Sequence, residues 1–140
     1  MDLVGRNKEL MKKFETMINT ADENLACALV APDAAFYTPA NPEPLYGGKG
    51  YLSVVYWMRK GFSDIQWQIT DMVADADKVA VKWNLTGTHD GEFMGIKPTN
   101  KNISVCVMNF YYFNKEGKVI NDIAAEGMIG ILRGIGAMQV

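Results

Sequence analysis

The stretch from Val79 to Glu126 holds three strand-like runs in succession, VAVKWNLTGTH, NISVCVMNFYYF and KVINDIAAE. Such adjacent runs leave few folds open to the chain. In the first, Val79, Val81, Trp83, Leu85, Gly87 and His89 fall on one side, and Ala80, Lys82, Asn84, Thr86 and Thr88 on the other, because successive side chains of an extended strand point to opposite faces. One face is expected to be buried, with the single histidine, His89, at its end. The second run is apolar on both sides, Ile103, Val105, Val107, Tyr111 and Phe113 against Cys106, Met108, Phe110 and Tyr112, so both of its faces are expected to be covered. The third sets Ile120, Asp122, Ala124 and Glu126 against Val119, Asn121, Ile123 and Ala125. Asp122 and Glu126 share a face but stand about 13 Å apart at roughly 3.3 Å per residue, too far to share a proton.

Ahead of these runs the period changes. Leu10, Met11, Phe14, Met17 and Ile18 recur at helical spacing and predict an amphipathic helix over 7–19. Thr20 and Glu23 read as a capping box opening a short second helix through Leu25, Ala26 and Leu29, ended by Pro32. A short strand is expected at 35–38, then a loop rich in proline, asparagine and glycine flanked by Tyr37 and Tyr46. Either tyrosine could turn its hydroxyl into a cavity. A third helix is expected over 49–60, with Tyr51, Leu52, Val55 and Met58 inward and Gly61 at its carboxyl cap. The segment IQWQITDMV then reads as a strand joined by a hairpin turn at 75–77 to the run from Val79. Helices followed by an antiparallel meander make an α+β pattern. The helices can cover one face of a curved sheet, and the other face is apolar too. A homodimer built sheet to sheet is therefore expected, the helix-covered face enclosing a pocket; a C-terminal segment folded over the exposed face is the alternative.

With 140 residues, 49% hydrophobic and 21% charged, the chain fits one domain over 1–140 with a substantial core. A net charge of -2 offers no basic footprint for nucleic acid. Cys27 and Cys106 lie in different elements without repeated spacing and support neither a disulfide framework nor a zinc site. The start, MDLVGRNKEL, lacks an apolar core of signal-peptide length, and no run approaches a membrane span, so a cytoplasmic location without membrane association is expected. Gly47, Gly48 and Gly50 follow a proline loop and lack phosphate-loop or dinucleotide spacing. One histidine cannot build a multi-histidine metal centre in one subunit, and a carboxylate site stays open. No metal or other cofactor is expected, and acid-base work in an apolar cavity is the chemistry left.

The loop GTHDGEFMGIKPTNK, with FSDIQWQITDMVADADKVAVKWNLTG before it and GKVINDIAAEGMIGILRGIGA at the end, resembles the SnoaL-like polyketide cyclase family. That family belongs to the superfold of nuclear transport factor and ketosteroid isomerase. The resemblance implies a cone-shaped curved antiparallel sheet wrapped around N-terminal helices, a cystatin-like α+β barrel, with a hydrophobic pocket and often a dimer. It also implies a cofactor-free intramolecular aldol closure, with Asp122 matching the family's general acid/base on the last strand and His89 matching the histidine of the loop motif.

On the residues themselves, a base that removes a proton next to a carbonyl needs raised proton affinity, which burial of Asp122 would supply. The resulting enolate oxygen needs a donor, for which His89, Tyr37 or Asn109 are candidates. His89 could equally keep Asp122 ionised or return a proton. Trp67, Trp83 and Phe110 are expected to form the wall against which a hydrophobic substrate folds. A protein of the same fold that binds an apolar ligand without transforming it is the alternative.

Overall fold

The computed structural model describes residues 2–38, 41–125, 129, 131 and 135–137. The expected meander is present: β3 (Gln66–Ala74), β4 (Lys78–Thr88), β5 (Asn102–Phe113) and β6 (Val119–Ala124) pair antiparallel in the order β3-β4-β5-β6. Ahead of it come α1 (Leu3–Thr20), α2 (Glu23–Leu29), a two-stranded β1 (Ala35–Thr38) and β2 (Asn41–Tyr46), and α3 (Gly47–Gly61). The result is an α+β fold, a curved sheet wrapped around its N-terminal helices. Curvature has a local cause in register shifts at 69–71 of β3 and at 112–113 of β5, where an added residue bends a strand and increases its twist.

α1 starts earlier than its apolar period shows, because the Asp2 side chain accepts from Gly5 N at 2.6 Å and caps it. The capping box expected at Thr20 does not form. Thr20 is still helical and donates its hydroxyl to Thr16 O, Ala21 turns left-handed at φ 53°, and Asp22 caps α2 by accepting from Leu25 N at 3.0 Å. The stretch read as loop after Thr38 contains β2 instead, pairing Phe36 with Leu45 and Ala35 with Tyr46. Pro42 and Pro44 are tolerated because a two-stranded ribbon is all edge. α3 packs on α2 closely enough that a Cβ at Gly48 would sit 2.4 Å from the Ala26 carbonyl carbon.

The core lies between α1, α3 and the concave face. Met11, Phe14, Met17 and Ile18 of α1 and Leu52 and Val55 of α3 meet Val79, Val81 and Trp83 of β4 and Tyr111 and Phe113 of β5. Each such side chain contributes about 1.5–3 kcal/mol by leaving water. Asn19 ties α1 to the β3 edge, donating to Trp67 O and accepting from Trp67 N, both at 2.8 Å. Among the described residues nothing covers the convex face, where Val73, Met108, Phe110 and Ile123 are about half exposed or more. The expectation that both faces of β5 are covered is therefore not met by this chain's own described residues. No helix among these is long and apolar enough to cross a membrane.

Candidate functional site

Between the helices and the concave face lies a cavity of about 670 Å³. Ile18, Val55, Met58, Trp67, Leu85 and Val107 supply apolar wall, and Tyr51, Asn109 and Asp122 gather polar atoms at one end. β-pairing explains that end. Tyr111 lies opposite Asp122 and Asn109 opposite Ala124, so Asn109 and Asp122 are diagonal neighbours on the concave face. Asn109 Nδ2 donates to Asp122 Oδ1 at 2.7 Å, and the Tyr51 hydroxyl, reaching from α3, donates to Oδ2 at 3.1 Å. Burial pushes the Asp122 carboxyl up to about 6, while the bonds from Asn109 and Tyr51 pull the other way.

Tyr51 bonds the carboxylate, and Tyr111 stands within hydrogen-bond reach of Tyr51. Burial, then the charges of their neighbours, hold the Tyr51 and Tyr111 phenols well above their ordinary range, so both stay neutral hydroxyls. Trp83 Nε1 donates to the Tyr111 hydroxyl at 3.1 Å. The Tyr51 ring is held edge-on by Phe14 and Phe36, with centroids 4.9 Å away in each case.

Of the site residues expected from sequence, Asp122, Asn109, Trp67, Trp83 and Tyr37 line this cavity, Tyr37 at the rim with 68% of its surface exposed. Tyr46 is exposed and does not line it. Phe110 has the opposite parity to Asn109 and Tyr111, so its ring lies on the convex face and cannot wall the cavity. The alternation within β6 also breaks. The shift at 112–113 of β5 leaves Ile120 unpaired in the ladder, and Val119 and Asp122 both face inward although three positions apart. Glu126 lies outside the described residues.

His89 stands elsewhere. Asp122 lies across from Tyr111, and Tyr111 across from Val79. Val79 is ten residues from His89 along the chain, about 33 Å of strand. The imidazole is 7% exposed, packs on Phe62 with centroids 5.3 Å apart, and does not line the cavity. Its Nδ1 accepts from Thr99 N at 3.3 Å and contacts Thr99 Oγ1 at 2.9 Å, which places the ring proton on Nε2. Nε2 has no partner among the described residues. The rest of the loop motif is seated on the end of α3. Asp90 and Gly91 donate their N–H groups to Gly61 O, Asp90 accepts from Ser63, and Phe93 packs over Gly61. A Cβ at Gly91 would meet Lys60 O at 1.8 Å.

Tyr51 was missed as a site residue, since its helical spacing makes it core. The available signal was chemical: an inward tyrosine must find its hydroxyl a partner. Among the described residues no cluster of three or more His, Cys, Asp or Glu side chains could hold a metal ion.

No curated protein sequence matches the chain. Solved structures do. AclR from Streptomyces galilaeus, a candidate hydroxylase, is 25% identical with a TM-score of 0.69, covering 97% of this chain and 99% of its own. A candidate SnoaL-like polyketide cyclase from Jannaschia is 18% identical with a TM-score of 0.77, covering 99% and 97%. IdmH from Streptomyces antibioticus, a candidate polyketide cyclase, is 24% identical with a TM-score of 0.71, covering 93% and 98%. The profile of the SnoaL-like polyketide cyclase family matches residues 8–135, nearly the whole length over which the sheet, helices and cavity are built, and the chain belongs to that family.

Proposed function

We propose that this single-domain chain catalyses a cofactor-independent ring closure of a hydrophobic, polyketide-like carbonyl compound, with Asp122 as general base and then general acid. The observation that carries the reading is the Asp122 carboxylate on the wall of an apolar cavity, its proton affinity raised to about 6 by burial. A carboxylate with that affinity is still mostly ionised at neutral pH, yet is a stronger base than one in water. It takes a proton from the carbon next to one carbonyl. The enolate carbon attacks a second carbonyl of the same molecule, and Asp122 returns the proton to the new alkoxide. Atoms and charge balance without a co-reactant. The wall formed by Trp67, Trp83 and Val107 holds the two carbonyls together, which is where most of the barrier reduction arises.

The test is Asp122→Asn, which keeps the shape and removes the base. With a poly-β-ketone probe, turnover is expected to fall about 10³-fold while probe affinity changes little. Unchanged turnover rejects the assignment, and a probe recovered unreacted from both proteins points to ligand binding without chemistry.

We also propose a homodimer through the convex face, where Val73, Met108, Phe110 and Ile123 border a groove of about 440 Å³. An apolar patch of this kind is rarely left to water. Phe110→Glu is expected to give a monomer in light scattering; a monomeric parent protein overturns the proposal.

A further inference from the structure

We infer that Tyr51 is a second catalytic residue, whose hydroxyl holds Asp122 in the resting site and turns to the enolate oxygen once Asp122 has taken up the substrate proton. The inference rests on the reading of Asp122 as the base.

The two carboxylate oxygens are not equivalent. Oδ1 accepts from the amide of Asn109, and that amide nitrogen can only donate. A proton placed on Oδ1 would face another N–H. Oδ2 accepts from a hydroxyl, which can rotate its proton away and accept instead. The incoming proton therefore goes to Oδ2, and Tyr51 reverses its role there, accepting from the new carboxylic acid. Its own proton then needs another acceptor. The ring cannot swing to find one, because Phe14 and Phe36 clamp it edge-on. Only the C–O torsion is free, so the second acceptor must come within about 3 Å of a fixed oxygen on the cavity wall. The Tyr111 hydroxyl, within hydrogen-bond reach of Tyr51, accepts from Trp83 and keeps a second lone pair, but it is a neutral acceptor.

The stronger acceptor at that moment is the enolate oxygen, whose negative charge is created in the same step that neutralises Asp122. The hydroxyl thus stabilises negative charge on the base before proton transfer and on the substrate after it. No proton leaves Tyr51. Burial, which holds its phenol far above the ordinary range, keeps it a donor throughout. The assignment also supplies the donor that His89, seated against Phe62 and Thr99, does not provide.

The test needs no natural substrate. The probe 4-nitrophenolate mimics the enolate, and 4-nitroanisole is its neutral counterpart of similar shape. Asp122→Asn mimics the protonated acid by turning an NH2 toward Tyr51. This variant is expected to bind 4-nitrophenolate at least about 10-fold more tightly than the parent protein, with 4-nitroanisole unchanged. Adding Tyr51→Phe is expected to remove about 10-fold of the phenolate affinity and again spare 4-nitroanisole. Tyr51→3-fluorotyrosine, which keeps the shape and sharpens the donor, is expected to tighten phenolate binding a few-fold in the Asp122→Asn background and serves if Tyr51→Phe does not fold. Phenolate affinity indifferent to both changes at position 51, or equal losses for both probes, overturns the role of Tyr51 while leaving Asp122 as the base. Parent and Asp122→Asn proteins with the same phenolate affinity overturn the reading of Asp122 itself.

Discussion

Two polar side chains with similar promise in the sequence, Asp122 and His89, occupy regions of opposite character. His89 is surrounded by its own loop: Thr99 meets Nδ1, Phe62 lies against the ring, and Asp90 and Gly91 fasten the following residues to α3. Asp122 is surrounded by space, and its two fixed partners leave the rest of the carboxylate facing a cavity. The first arrangement lowers the energy of one conformation. The second keeps a charge where it is costly, which is what reactive groups require. The loop motif that carried the family resemblance in the sequence is thus the one that seats a loop, and the chemistry is proposed where the sequence shows only one aspartate on a short strand.

The contrast can be broken by substitution. The largest expected difference is in turnover: about 10³-fold lost in Asp122→Asn, against a change within about threefold in His89→Ala. A collapse of turnover in a folded His89→Ala protein would erase the distinction.

Stability should run the other way. His89→Ala removes a buried ring and its bond to the Thr99 amide, and is expected to cost about 2 kcal/mol in urea unfolding. For Asp122 the sign follows from its proton affinity. A carboxyl raised to about 6 in the folded protein holds its proton better there than in the unfolded chain. Its contribution to stability is therefore full below about pH 4 and is lost as pH rises through about 6. Asp122→Asn carries no charge to bury. It is expected to be more stable than the parent at pH 7 by on the order of 2 kcal/mol, a gap that closes toward pH 4. A constant gap across that range would mean the carboxylate is well solvated.

The smallest effect sharpens the loop side. Thr99→Val keeps the backbone bond to His89 Nδ1 and removes only the hydroxyl, for an expected cost of about 1 kcal/mol and no change in turnover. A larger loss would show that the hydroxyl, which also meets Lys101 N at 3.4 Å, organises the loop beyond His89.

Much of the architecture was readable along the chain because its causes are local. The period of α1, the alternation of β4 and the hairpin at 75–77 each depend on residues within a few positions of one another. Errors fell where local preference and context disagree. Pro42 and Pro44 disguise β2, which survives as an edge, and Asp22 outcompetes Thr20 as a cap.

The candidate site is the opposite case. Periodicity shows that Asn109 and Phe110 face different ways, but only the packing of α1 and α3 decides which of them meets the cavity. Asp122 points inward because a register shift at Ile120 resets the alternation of β6, and its partner Tyr51 lies 71 positions away on another element. Hydrophobic patterning is a property of neighbours in sequence and so declares elements and their apolar faces. The position of a proton donor beside a buried carboxylate depends on register, curvature and the closing of distant segments, which are settled only when the whole sheet folds around its helices.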